Sequence, residues 1–227
     1  MHMTYLPKGT LMRRLLTILG AAVPLLASSM LMGGPAQARA LDNTPGFTVG
    51  LVTLNGSGCP AGTANIAVSP DDTAFTVTYS KYLAQVGVGA SPIDFRKNCQ
   101  LVVQVNAPQG FTYAVAEADY RGYAYLANGA SSQEQANYYF QGMSPTANVT
   151  HSFTGPMDSD WQATDTTSVA SLIWAPCGAT RDLNINTQLH LNAGTSNLST
   201  TTSFMTMDST DGSLTTTYHL SWEQCHR

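Results

Sequence analysis

Glu117, Asp119 and Arg121 occupy alternate positions in the segment GFTYAVAEADYRGYAYLANG, which begins at Gly110. The segment alternates as a β-strand does, and on a strand positions two apart share a face. Phe111, Tyr113, Val115, Glu117, Asp119, Arg121, Tyr123 and Tyr125 then form one row. Backbone positions two apart on a strand are separated by roughly 6.5–7 Å. That spacing suits a pair of carboxyl groups acting as acid and base in glycoside cleavage. Glu117 and Asp119 are therefore the catalytic candidates of an extracellular hydrolase or lyase, with a tyrosine as proton donor. The competing reading is architectural. A guanidinium beside two carboxylates makes a charge-paired ladder on a sheet face and favours their ionised form, the wrong direction for a proton donor.

Other polar sets suggest binding rather than catalysis. Tyr113, Tyr120, Tyr123, Tyr125, Tyr138 and Tyr139 are concentrated in a short stretch. Exposed tyrosines beside amides suit sugar rings, whereas buried ones are ordinary sheet packing. Tyr120, Arg121, Tyr123 and Tyr125 are the candidate contacts. A second set is the run Asn184, Asn186, Gln188, His190 and Asn192, all on one strand face. It reads either as a polar platform for a glycan or as a plain solvated face. A third set, Asp158, Asp160 and Asp165, offers oxygen ligands for calcium, but lacks the glycine and terminal glutamate of an EF-hand loop. No other cofactor is expected. His151, His190, His219 and His226 are scattered, and neither an H-E-x-x-H nor a G-x-S-x-G motif occurs.

The elements that must position these residues are strands. Thr, Val, Tyr and Phe are abundant, and turn signals such as Ala107-Pro-Gln-Gly, Asn128-Gly and Gly155-Pro recur at short intervals. The pattern predicts strands near residues 47–54, 63–68, 73–80, 98–106, 111–126, 136–142, 149–154, 168–174, 182–192, 200–207 and 213–223, and a turn at Asp208-Ser-Thr-Asp-Gly. In 183–191 and 214–222 apolar and polar residues alternate, which places one face on a core and one in water. The fold class that follows is all-β: an antiparallel two-sheet sandwich, jelly-roll-like. Four cysteines, Cys59, Cys99, Cys177 and Cys225, would staple it with two disulfides. Three pairings are open; linking neighbours in sequence gives Cys59–Cys99 and Cys177–Cys225. No two cysteines have zinc-knuckle spacing.

Residues 1–40 read as a secretory signal peptide: Arg13-Arg14, an apolar small-residue run, then PAQARA with cleavage after Ala38 or Ala40. Residues 41–227 form the expected single secreted domain. The whole chain carries a net charge of −4, with ten basic and fourteen acidic side chains. Four basic residues (Lys8, Arg13, Arg14, Arg39) lie in the leader, so cleavage leaves six against fourteen, a net −8. So acidic a domain repels polyphosphate and anionic lipid, which disfavours nucleic-acid and membrane partners. An extracellular glycan or a secreted protein is the expected partner, and a structural matrix or coat protein assembling through its edge strands is a further reading. Asn148-Val-Thr and Asn197-Leu-Ser are formal glycosylation sequons.

Several short segments, in order, resemble the secreted domain-of-unknown-function family numbered 4360. They are Gly58-Cys-Pro-Ala-Gly-Thr, Asp72-Thr-Ala-Phe-Thr-Val-Thr, Arg96-Lys-Asn-Cys-Gln-Leu, Pro108-Gln-Gly-Phe-Thr, Asp119-Tyr-Arg-Gly-Tyr, Tyr139-Phe-Gln-Gly, Pro176-Cys-Gly, Leu183-Asn-Ile-Asn and Asp208-Ser-Thr-Asp-Gly. The resemblance implies a small, exported, disulfide-bonded β-rich protein and carries over no catalytic residue. Since Asp119-Tyr-Arg-Gly sits among matching disulfide and turn residues, it favours the architectural reading of that stretch.

Overall fold

The computed structural model describes residues 46–144, 148–168, 172–207 and 216–226. The leader, the turn at 208–212 and the start of the last predicted strand lie outside the described residues. The described chain forms two antiparallel sheets around one hydrophobic core. The strands are β1 (Thr48–Asn55), β2 (Ala64–Val68), β3 (Ala74–Tyr79), β4 (Leu83–Gly87), β5 (Arg96–Asn106), β6 (Phe111–Leu126), β7 (Ser131–Phe140), β8 (Val149–Thr154), β9 (Met157–Thr166), β10 (Leu183–Asn192), β11 (Thr202–Thr206) and β12 (Thr216–Gln224). One sheet has the order β1-β5-β10-β7-β8. The other runs β2-β3-β12-β6-β11-β4, with β9 also paired to β6. The chain crosses repeatedly between the sheets, so the expected all-β sandwich is the observed fold.

Alternation explains most of the burial. On β10, Leu183, Ile185, Leu189 and Leu191 point into the core, and Thr187 joins them by hydrogen bonding the Tyr82 hydroxyl at 3.1 Å. On β12, Tyr218 and Leu220 are buried between polar neighbours. Aromatic contacts tie the two sheets together: Tyr113 of β6 meets Phe140 of β7 edge-on at 5.3 Å, and Tyr138 of β7 meets Tyr218 of β12 at 6.2 Å. Such pairs add about 0.5–1.5 kcal/mol each beyond the area they bury. Disulfides join Cys59 to Cys99 and Cys177 to Cys225, the pairing of sequence neighbours.

β6 does not keep one parity along its length. Opposite β12, His219 pairs with Glu117 but Leu220 pairs with Val115, so Ala116 is an extra residue, a β-bulge. Before the bulge, Tyr113 faces the core. After it, the inward set becomes Ala118, Tyr120, Gly122, Ala124 and Leu126, and the odd positions turn to the opposite face. The single row running from Phe111 to Tyr125 is thereby corrected. A one-residue offset flips every later side chain.

Gly122 sits where no side chain fits. A Cβ there would lie 1.8 Å from the Thr206 carbonyl oxygen and 2.6 Å from Trp161 Nε1. Trp161 Nε1 itself donates to that carbonyl at 3.0 Å. Gly122→Ala is expected to cost about 1–3 kcal/mol or more in denaturant unfolding, by overpacking. An unchanged midpoint would show that β11 can shift to make room.

Candidate functional site

The outer face of the five-stranded sheet is built almost entirely of amides and hydroxyls. Residues directly opposite each other in register share a face, so two rows cross β5, β10, β7 and β8 and a third crosses β5, β10 and β7. The first is Arg96, His190, Gln133 and Ser152; the second Asn98, Gln188, Gln135 and Thr150; the third Gln100, Asn186 and Asn137. The rows are hydrogen-bonded along their length. Arg96 Nε donates to Gln188 Oε1 at 2.6 Å, Gln188 Nε2 to Gln135 Oε1 at 3.2 Å, and Gln135 Nε2 to Thr150 Oγ1 at 3.0 Å. In the third row Asn186 Nδ2 donates to Asn137 Oδ1 at 3.0 Å, and Asn137 Nδ2 to Asn148 Oδ1 at 2.7 Å.

These bonds fix the side-chain orientations yet leave capacity, because each amide has two donors and two acceptor lone pairs. Between the second and third rows lies a groove of about 270 Å³, lined by residues that include Arg96, Asn98, Gln135, Asn137, Asn148 and Gln188. Arg96 is its one charged lining residue. Of the predicted contacts, Asn186 and Gln188 line this groove. Asn184 is nearly buried beside Tyr139, and His190 packs edge-on against Phe95 at 5.5 Å.

The predicted tyrosine contacts lie on the other side of the sandwich. Tyr123 and Tyr125 are on the outer face of the seven-stranded sheet, where both rings meet Phe204 at 5.9 Å. The Tyr123 hydroxyl donates to Asp158, and that bond first of all raises the phenol's pKa. The amide ladder and the tyrosine row thus face away from each other and cannot form one site. Tyr120 is removed as a contact altogether. It points inward, is fully buried, and hydrogen bonds the Tyr138 hydroxyl.

Arg121 is exposed opposite Gln162, and among the described residues the ion-pair partner of the two acids is His219. His219 Nε2 lies 3.3 Å from Asp119 Oδ2 and 3.9 Å from Glu117 Oε1. Thr164 Oγ1 donates to Asp119 Oδ1 at 2.6 Å. The acid–arginine ladder is thereby corrected to an acid–histidine cluster. Glu117 and Asp119 stand side by side on one open strand face, whereas a glycosidase pair flanks the bond it cleaves.

The calcium set fails for a similar reason of parity. Asp158 and Asp160 point outward from β9, but Asp165 points into the sandwich and is only 5% exposed. There its Oδ1 meets His151 Nε2 at 2.6 Å and its Oδ2 accepts from the Tyr138 hydroxyl at 2.9 Å. Three carboxylates on opposite faces of one strand cannot share an ion. Glu134 of β7 is a feature that sequence reasoning missed. It is fully buried, and both of its carboxyl oxygens lack a hydrogen-bond partner. The signal was its place in the alternation: Ser132, Glu134 and Ala136 share the inward parity of Phe140.

Fold and surface together define a disulfide-bonded extracellular β-sandwich with an amide-lined groove that carries one arginine. Residues 45–225 match the family described as a domain of unknown function, DUF4360, and the chain belongs to that family. It is 39% identical over 174 residues, covering 77% of this chain and 70% of the relative, to an uncharacterized secreted protein of Arthroderma benhamiae (strain ATCC MYA-4681 / CBS 112371). The chain is a secreted protein, as its two disulfides also suit. Two solved structures are similar at low identity. TmCBM61, in complex with β-1,4-galactotriose, is 10% identical, with a TM-score of 0.28 over 80% of this chain and 90% of that one. The enzymatically active domain of tailspike protein 4 from bacteriophage CBA120 is 9% identical, with a TM-score of 0.26 over 81% of this chain and 20% of that one. At these scores the likeness transfers no residue role and no ligand.

Proposed function

We propose that this secreted protein is a non-catalytic binding protein for an extracellular polysaccharide, seated along the amide face of the five-stranded sheet. Export through a cleaved leader over residues 1–40 belongs to the same reading. The observation that carries it is the groove lined by Asn98, Gln135, Asn137, Asn148 and Gln188, with Arg96 as its one charge. A polysaccharide presents closely spaced hydroxyls, each both donor and acceptor. Amide side chains answer both roles without the desolvation cost of a buried charge. The amides are already held in position by one another, so little side-chain entropy is lost on binding.

The test is co-sedimentation of the purified secreted protein with insoluble chitin, cellulose, β-glucan and bacterial cell wall, at two salt concentrations. The expected result is retention on one polymer, little changed by salt. Replacing Asn137 and Gln188 together by alanine should weaken it at least tenfold, since two lost hydrogen bonds of about 1 kcal/mol each exceed the 1.4 kcal/mol that makes a factor of ten. Tyr123→Ala, on the opposite face, should bind as the unaltered protein does. Loss of retention in Tyr123→Ala alone would move the site to the tyrosine face. Retention on no polymer would sink the proposal and leave a secreted protein as the ligand to seek.

A further inference from the structure

We infer that Glu117, Asp119 and His219 form a binding site for one divalent transition-metal ion, on the outer face of the seven-stranded sheet. The inference is independent of the polysaccharide reading, because the two surfaces lie on opposite sides of the sandwich. One donor atom from each of the three residues lies within 4.8 Å of the other two. Two ligands each about 2.1 Å from a tetrahedral zinc ion are about 3.4 Å apart. The 3.3 Å separation of Asp119 Oδ2 and His219 Nε2 already matches that edge. Glu117 Oε1, at 3.9 Å from the imidazole, needs only a small side-chain rotation, and its side chain is 40% exposed and free to make it.

The surroundings favour a cation over a simple ion pair. Two acidic side chains face a single imidazole there, so the acids outnumber the base. Arg121, the nearest guanidinium in sequence, is turned to solvent and forms no ion pair with a described residue. A bound dication would balance both carboxylates. The site is also held in place. The Thr164 hydroxyl occupies Asp119 Oδ1 and thereby directs Oδ2 at the histidine, a supporting bond of the kind that orients metal ligands. The bulge at Ala116 brings Glu117 and Asp119 to the outer face opposite His219; with regular pairing they would share the inward parity of Tyr113 and Val115.

Ligand chemistry narrows the ion. Calcium and magnesium prefer all-oxygen sets, whereas an imidazole with two carboxylates suits zinc, cobalt or manganese. Three protein ligands on an exposed face leave at least one position for water or for a donor from a bound molecule.

The test uses the intact, tag-free secreted protein, freed of metal by a chelator. Zinc is titrated calorimetrically, and cobalt(II) is followed by its visible absorption. The expected result is saturable binding of one ion, weakened at least tenfold in both His219→Ala and Asp119→Asn, and unchanged in His226→Ala. His226 is the exposed histidine beside Glu223 that controls for incidental surface chelation. Because His219 is solvent-facing, its variant should melt with the unaltered protein in the absence of metal; comparing the two apo melts separates metal loss from unfolding. Binding that persists in both variants, non-saturable binding, or calcium binding as tight as zinc binding would each overturn the inference.

Discussion

Replacing Glu134 by glutamine is expected to stabilise the protein by about 3 kcal/mol at pH 7 and to leave it unchanged near pH 4. Glu134 is fully enclosed between the sheets. Burial first, and the neighbouring Asp165 charge second, push its carboxyl up to about 9 from an ordinary 4.5. The proton therefore stays on in the folded protein between those two values and leaves in the unfolded chain. Stability consequently falls as pH rises across that interval, by about 1.4 kcal/mol per pH unit for one proton, and levels off above the folded pKa. Glutamine keeps the shape and removes the titration. Three phenols packed around the carboxyl do not titrate in the same way: the pKa values of Tyr79, Tyr82 and Tyr218 are raised by burial. Denaturant unfolding of both forms at several pH values between 4 and 10 gives the comparison. Parallel stability curves would mean that Glu134 is solvated or paired in solution.

Removing the Cys59–Cys99 disulfide by double alanine substitution is expected to be the more damaging of the two possible deletions. The bridges close loops of 40 and 48 residues. By loop-closure entropy alone each stabilises by about 4 kcal/mol, which does not separate them. Packing does. Cys59 and Cys99 are both core residues with at most 1% exposure, whereas Cys177 is exposed and Cys225 half-buried. Losing the first bridge also deletes sulfur from a close-packed interior beside Tyr82 and Leu101, adding a cavity cost. Unfolding midpoints of the two double variants test the order. Partial reduction followed by thiol trapping should label Cys177 and Cys225 first, and the reverse labelling order would show that the core bridge is the more accessible.

Much of the sandwich was legible in the sequence because alternation is a local signal. β10 and β12 could be read directly, since one face is apolar and the other polar at every step but Thr187 and Thr216. β9 was missed because its outward face carries Asp158 and Asp160, residues that favour turns. It is a strand through its long ladder with β6, and only Trp161, Ala163 and Asp165 of it are buried. β4 was missed because Leu83–Gly87 is short and weakly patterned; its place depends on pairing with β11. Of the strand expected at 168–174, residues 169–171 lie outside the described residues. Residues 172–176 have no regular structure despite their β-branched and aromatic character. The neighbouring Ala175 meets β6 only through isolated hydrogen bonds, from its own amide to the Tyr113 carbonyl and from the Thr112 hydroxyl to its carbonyl.

The candidate sites were legible in kind but not in grouping. That amides cover one face of β10 followed from parity. That they continue across β7 and β5 depended on a register no single segment reveals. The acids were assigned to the face of Tyr113 by counting along β6, and the count failed at a single inserted residue whose only sign is the pairing of β12. His219 meets Glu117 and Asp119 across a hundred residues of chain, beyond any local spacing rule.

The absence of carboxylates from the groove has a bearing on the surroundings in which the protein works. Asparagine, glutamine and arginine keep the same protonation from acid to mildly alkaline conditions. A ligand held there would be gripped equally in an acidified medium and in a neutral one. Meanwhile the proton on Glu134 makes the scaffold itself sturdier as its environment sours, down to the point where other carboxylates begin to lose their partners. The proposed grip would then be insensitive to pH, while the scaffold that carries it strengthens on acidification.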